Sequence, residues 1–244
     1  IYDFCLNGVG YICRVITSGV NDTYEYTKDG KLKKEIRNIG STIFNTEYLH
    51  DYLGNIVEIK NPDLSSVRYT YNNAAQIDRI DYKKDPLSMW SPIVLNIDYG
   101  PTGQATQKVN SNGITTIYNF DDTNLYRLKN IKSTNPSMVA LQNISYIYDS
   151  VGNIIEVNDN SSNIASKKAV YAYDNLYRLK SATVTNTGNS ANYTQTFSYS
   201  PIGNILSKSD NPGAYQYNGG VSVGSFANSH AVTNIGAKTY SYDK

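Results

Sequence analysis

With 244 residues, 40% of them hydrophobic, the chain can form one large all-β domain or two smaller ones and is too apolar to be disordered. Twenty-two Lys and Arg against 21 Asp and Glu leave a net charge of +1, with no long basic block, so nothing steers the chain onto nucleic acid or an anionic membrane. It contains no apolar run long enough for a spanning helix and no signal-peptide pattern, so no membrane span is expected.

Tyrosine is in excess, 23 residues against 5 Phe and 1 Trp, so much of the buried surface has to be aromatic rings that carry a hydroxyl needing a partner. In chain order the tyrosines fall into a recurring phrase. It is aromatic, any residue, aromatic, often Asp, two spacers, Gly or Tyr, Asn or Arg, then an aliphatic residue. Copies or decayed copies start at Tyr2, Tyr24, Tyr48, Tyr69, Ile97, Tyr118, Tyr146, Tyr171, Phe197, Tyr215 and Tyr240. The spacing, about 24 residues on average, is that of a repeat architecture.

The first copy carries Cys5 and Cys13 around its turn, which can pair as a disulfide or stand as two thiols. The next copies run Tyr24, Tyr26 to Gly30; Tyr48, His50, Asp51 to Gly54; and Tyr69, Tyr71 onward. Residues 83–93, KKDPLSMWSPI, hold two prolines and the only tryptophan and are expected to be a loop insertion, an outward loop or a plug. Beyond it come Gly103, then Tyr126 in the glycine slot, then Tyr146, Tyr148, Asp149 and Gly152. After them stand Tyr171, Tyr173 and Asp174 with Tyr177 in the glycine slot, then Phe197, Tyr199 and Gly203, and finally Tyr215 and Tyr217.

The phrase has a direct physical reading. Aromatic residues two apart share one face of a strand. Asp opens a turn by accepting a backbone N–H, and Gly supplies the positive φ that closes a hairpin with a bulge. The β-branched run that follows, IIEV after Gly152, is the second strand. Asx-rich clusters such as 158–163 and 186–190 are then the opposite turns, and no window keeps a helical apolar period. Tyr126 and Tyr177 depart from the glycine rule, so either the turn changes type there or the ring meets a neighbouring repeat.

The phrase resembles the YD repeat of rearrangement-hotspot proteins, shared with the BC component of insecticidal toxin complexes and with the teneurins. The resemblance covers essentially the whole chain. YDFCLNGVGYIC is similar to a Cys-bearing variant, and SHAVTNIGAKTYSYD to a segment shortly before the family's terminal core. It implies an all-β fold, with YD-repeat hairpins in a continuous antiparallel sheet, spirally wound as part of a hollow shell, whose partner is a C-terminal toxin domain of the same polypeptide. It implies a secreted or cell-surface bacterial location. The self-cleaving core and the toxin domain are not in these residues. Residues 1–244 are therefore expected to be a single repeat region truncated at both ends. One residue of sheet covers about 16 Å², so 244 residues cover at most about 4,000 Å². A wall about 22 Å in radius around a guest of about 100 residues needs roughly 6,000 Å². An open band with exposed edges is expected.

No catalytic constellation assembles from the sequence. Asp51, Asp149 and Asp174 share one repeat slot where a turn needs an acceptor, so capping is favoured over acid–base chemistry. His50 stands in an aromatic slot and His230 is 180 residues away, which favours packing. NDNSSN lacks the Gly and distal Glu of a calcium loop, and neither cofactor nor metal is expected. Asn143 and Asn192 match glycosylation acceptors without use in a bacterial setting. The expected function is structural, a wall segment that encloses a toxin, with no enzymatic role. The alternative is a repeat module that stacks tyrosines on surface glycans.

Overall fold

The computed structural model describes residues 1–162, 165–188, 192–210, 213–218 and 229–242. Residue 163 of the expected opposite turn at 158–163, residues 189–190 of that at 186–190, and the closing Asp243 lie outside the described residues. Twenty strands and no helix are found among the described residues, and β1 to β17 form a seventeen-stranded antiparallel sheet that is not closed into a barrel. The chain divides into two units, 1–117 and 118–244.

The first unit is a meander in which each strand pairs with the next: β1 (Arg14–Thr17), β2 (Val20–Tyr26), β3 (Leu32–Ile39), β4 (Thr42–His50), β5 (Ile56–Lys60), β6 (Ser66–Tyr71), β7 (Ile77–Lys83), β8 (Ser91–Tyr99), β9 (Ala105–Asn110) and the start of β10 (Thr115–Asp121). The loop after β7 is shorter than 83–93. Lys83 and Ser91 to Ile93 belong to strands, because Tyr82 pairs with Ser91 and Asp81 with Pro92. Trp90 folds back under two cations, with the Arg68 guanidinium 4.5 Å and the Lys83 ammonium 4.7 Å from its ring centre, and this anchors the loop.

The second unit continues from β10 through β11 (Arg127–Thr134), β12 (Ala140–Tyr148), β13 (Ile154–Asp159), β14 (Lys167–Tyr173), β15 (Leu179–Asn186), β16 (Tyr193–Tyr199) and β17 (Ile205–Lys208). From β11 to β17 each strand pairs with its successor. β18 (Tyr215–Gln216), β19 (Asn234–Ile235) and β20 (Lys238–Thr239) make a small separate sheet.

Register assigns each face its chemistry. One face carries the repeat aromatics and their partners, in rows that run from Tyr48 through Ile59 to Val67 in the first unit and from Tyr146 through Val157 and Ala169 to Val184 in the second. The other face of the first unit carries a straight charged row across six strands: Glu25, Lys34, Glu47, Lys60, Ser66 and Lys83. Glu47 bridges Lys34 at 3.4 Å and Lys60 at 3.7 Å. Opposite charges directly across a ladder stabilise pairing, and the alternation from Glu25 to Lys60 favours this register from β2 to β5. Beside this row Asp81, 1% exposed, takes Arg68 at 2.9 Å and Arg79 at 2.8 Å. In the second unit the same face is rich in hydroxyls, such as Thr183 opposite Thr194 and Ser198 opposite Ser207.

The sheet has almost no enclosed apolar centre. Among the described residues the buried hydrophobic ones are Cys13, Val94, Ala182 and Ile235. Cohesion comes instead from ladders, from half-buried rings and from contacts between successive repeats.

Candidate functional site

The repeated unit is the chemical feature of this chain, and its turn is built alike in copy after copy. At residues 149–153 the Asp149 N–H donates to the Asn153 carbonyl at 3.0 Å and the Gly152 N–H to the Asp149 carbonyl at 3.2 Å. The Asp149 Oδ1 accepts the N–H groups of Val151, Gly152 and Asn153 at 3.1, 2.8 and 2.8 Å, and its Oδ2 accepts the Asn153 amide at 2.8 Å. First the Asn153 amide, then the turn N–H groups, hold the Asp149 carboxyl below its ordinary range against the opposing effect of burial. Asp51 with Asn55 and Asp174 with Arg178 repeat the arrangement, and both carboxyls are lowered in the same way. A carboxylate saturated with donors is a turn acceptor and a poor proton acceptor for chemistry.

Gly152 has φ +102° at the fourth turn position, a conformation that L side chains resist. Gly30, Gly54, Gly103 and Gly203 share that slot and the sign of φ. Gly152 has a second constraint, since a Cβ there would stand 3.1 Å from the Arg127 Nη2 of the preceding repeat. At Gly54 it would strike the Lys31 side chain, so successive turns lie against one another.

The two tyrosines in the glycine slot resolve differently. Tyr177 keeps the turn type, with φ +58° and the same two backbone bonds through Asp174. At Tyr126 the loop lengthens, with Leu125 and Tyr126 both at positive φ. In both repeats it is the following arginine, not the ring, that meets the neighbour. Arg127 donates to the Asp149 carbonyl at 2.9 Å, and Arg178 donates to the Ser200 carbonyl at 2.9 Å. Their guanidinium groups lie 5.7 Å over Tyr148 and 4.7 Å over Tyr199.

A second inter-repeat contact was not legible in the sequence. The second aromatic of a repeat sends its hydroxyl to the carbonyl of the aliphatic residue that follows the previous turn. Tyr71 donates to Ile56 at 2.7 Å, Tyr99 to Ile77 at 2.6 Å, Tyr148 to Leu128 at 2.7 Å, Tyr173 to Ile154 at 2.7 Å, Tyr199 to Leu179 at 2.8 Å and Tyr217 to Ile205 at 2.9 Å. Tyr26 does the same to Ile12 at 2.6 Å and stacks on Tyr11. Burial raises the hydroxyl pKa of Tyr26, Tyr71, Tyr99, Tyr148, Tyr173 and Tyr217, which keeps them as donors. A bulge falls at this residue in the repeats: Tyr148 pairs with Ile154 whereas Ile147 pairs with Glu156. The sequence spacing between the aliphatic residue and the next second tyrosine varies from 12 to 22 residues, so residue order carries no fixed signal for it.

Three repeats lack the hydroxyl, the first because Phe4 stands in the slot. Phe120 fills the slot in one, and His50 fills it in another, where its Nδ1 is buried without a hydrogen-bond partner. The first aromatics, Tyr24, Tyr69, Tyr146, Tyr171, Phe197 and Tyr215, lie half-buried in β2, β6, β12, β14, β16 and β18. His230 meets the Asn204 Oδ1 at 2.8 Å while the Asn204 amide donates to the Ser229 carbonyl, which joins 229–242 to the turn at 200–204.

Cys5 and Cys13 form a disulfide with their Cα atoms 5.4 Å apart. Gly8 lies directly against both sulfurs, where a Cβ would collide with them. Among the described residues no three His, Cys, Asp or Glu gather as metal ligands, and no helix is long and apolar enough to cross a membrane.

No family model and no curated protein matches the chain. Solved structures do. A crystal structure of TcdB2-TccC3-TEV superposes with a TM-score of 0.71 at 20% identity, over 83% of this chain and 12% of that one. TcdB2-TccC3-Cdc42 gives 0.71 at 21% identity over 86% and 12%. A Tc holotoxin pore of Photorhabdus luminescens with a TccC3 mutation gives 0.70 at 21% identity over 83% and 12%. This chain therefore has the fold of a stretch of those assemblies and spans about an eighth of the chains it matches.

Proposed function

We propose that this chain is a wall segment of a YD-repeat shell, a structural element that encloses a C-terminal toxin or effector domain of the same polypeptide and has no catalytic role of its own. The observation that carries the reading is the tyrosine hydroxyl by which most repeats clasp the preceding one, in a sheet with almost no enclosed apolar centre. Such a sheet gains stability by adding repeats rather than by thickening a core, which suits a wall. The fold shared with TcdB2-TccC3 assemblies supports the same reading, as does the presence among the matched structures of one described as lacking a hypervariable C-terminal region. An extracellular bacterial location goes with it.

The test is limited proteolysis of the full-length protein that contains this segment. Any domain C-terminal to the repeats should resist protease while the repeats are intact. It should become cleavable when Tyr148, Tyr173 and Tyr199 are replaced together by Phe. A C-terminal domain digested equally fast in both forms would remove the proposal.

A further inference from the structure

In several repeats the residue after the positive-φ turn position reaches across the seam to the next turn. Lys31 lies against Gly54, and Gln76 donates to the Gly103 carbonyl at 3.3 Å. Arg127 and Arg178 donate to the Asp149 and Ser200 carbonyls at 2.9 Å each, with their guanidinium groups over Tyr148 and Tyr199 of the next repeat. Asn in the same place is too short for the crossing. Asn153 turns back to the Asp149 Oδ2 of its own turn at 2.8 Å, as Asn55 does to Asp51. The seam after Asn204 is covered by another stretch of chain, Ser229 and His230.

The seam after Asn153 is open. Between the turns at 149–153 and 174–178 lies a pocket of about 340 Å³, lined in part by Asp149, Asn153, Tyr173, Asp174, Asn175 and Tyr177. At the seam that Arg127 fills, the remaining space is about 190 Å³. The groups that receive an arginine at the two filled seams are present here without one. The Asp174 carbonyl accepts the Tyr177 N–H at 2.9 Å, as the Ser200 carbonyl accepts the Gly203 N–H at 3.0 Å. Each carbonyl has a second lone pair, and on Ser200 it is the one Arg178 takes. No cation lies over the Tyr173 ring among the described residues. Asp174 is paired with Arg178 at 2.7 Å, whereas Asp149 has no cationic partner among the described residues, so the pocket keeps one uncompensated negative charge.

We propose that this pocket binds the guanidinium group of an arginine side chain from another polypeptide segment, seated as Arg127 and Arg178 are in their own seams. The group lies over Tyr173, donates to the Asp174 carbonyl and sets its charge against the Asp149 carboxylate. A guanidinium suits the site better than an ammonium because it is planar, weakly hydrated and able to stack while it donates in the ring plane. The two aspartates repel phosphate and carboxylate ligands. The seam covered by Ser229 and His230 shows a polypeptide stretch in the equivalent place. The site does not depend on what the sheet encloses.

The test is titration of the nitrogen-15-labelled 244-residue chain with N-acetyl-arginine amide, followed by amide chemical shifts, with circular dichroism to check folding. Saturable shifts should appear at Tyr173, Asp174 and Asn175. N-acetyl-citrulline amide, of the same shape without the charge, and N-acetyl-lysine amide should each bind at least about fivefold more weakly. Asn153→Arg puts a guanidinium into the seam from the chain itself, with Asp149 holding it as Asp174 holds Arg178. That variant should lose the shifts and unfold at a higher urea midpoint. Asn153→Gln, with the reach of Gln76, should weaken binding at least about fivefold and decides the matter if the arginine variant does not fold. No saturable shift in the wild-type chain, equal binding of the citrulline or lysine probe, or unchanged binding by the folded variants would each overturn the proposal.

Discussion

Replacing Tyr173 by Phe removes one hydroxyl and leaves the ring, and so isolates the clasp between neighbouring repeats. The hydroxyl donates to the Ile154 carbonyl at 2.7 Å with the ring half-buried, so the apolar contribution is unchanged and only the hydrogen bond is lost. A bond of this kind is worth about 1 kcal/mol net. Tyr148 and Tyr199 make the same bond two strands to either side, at 2.7 and 2.8 Å, with no shared partner. Effects at separated seams add, so the triple Phe variant should lose about 3 kcal/mol. The assay is urea unfolding, in which the midpoint should fall with an unchanged slope. Tyr146→Phe is the control, because that hydroxyl donates to no protein group among the described residues, and its midpoint should stay within error. The converse is to add the bond: Phe120→Tyr and His50→Tyr should each raise the midpoint. Equal losses for Tyr146→Phe and Tyr148→Phe would refute the clasp, since ring packing alone would then explain both.

Three further outcomes are expected. Gly152→Val should cost about 1–3 kcal/mol from positive φ, and more than Gly203→Val, because Arg127 crowds only the first and space is open around the second; equal midpoint shifts in urea would remove the turn-on-turn contact. The Asp81 carboxyl is held below its ordinary value first by the hydrogen bond from Arg79, against burial and with help from Arg68. A lowered folded pKa contributes stability above the ordinary Asp range and loses it as pH falls through the folded value; Asp81→Asn should therefore cost about 1–3 kcal/mol of stability at neutral pH, read as a lower urea midpoint, and flatten the decline below about pH 4. Reducing the Cys5–Cys13 bridge, which spans 8 positions, should cost about 2.5 kcal/mol by chain entropy, seen as an earlier loss of protease resistance in the N-terminal segment, and Gly8→Ala should disturb the bridge because its Cβ meets both sulfurs.

The hairpin repeat, its strand faces and its turn acceptor were readable from residue order because they are local. Alternation by two sets the face of Tyr146 and Tyr148, and an Asp three residues before a Gly sets the turn at 149–153 whatever surrounds it. Position 177 shows where the local rule stops. Its Tyr occupies a glycine conformation, and its neighbour Arg178 reaches 22 residues along the chain to the Ser200 carbonyl. The loop after β7 is shorter than its prolines suggest for a related reason: proline marks breaks, but Pro92 lies within β8 opposite Asp81, which takes up Arg68 and Arg79, and only that pairing places the strand boundary.

Residue order alone thus determined that this chain is a run of antiparallel hairpins whose aspartates cap turns, since those features depend on chemistry within about ten residues. Tertiary structure alone decided how one hairpin holds the next: which tyrosine hydroxyl meets which carbonyl, why Gly8 admits no side chain and Gly152 is crowded by Arg127, and that Cys5 joins Cys13. Those contacts link groups that folding brings together across a two-strand step, and no local propensity encodes the distance between them.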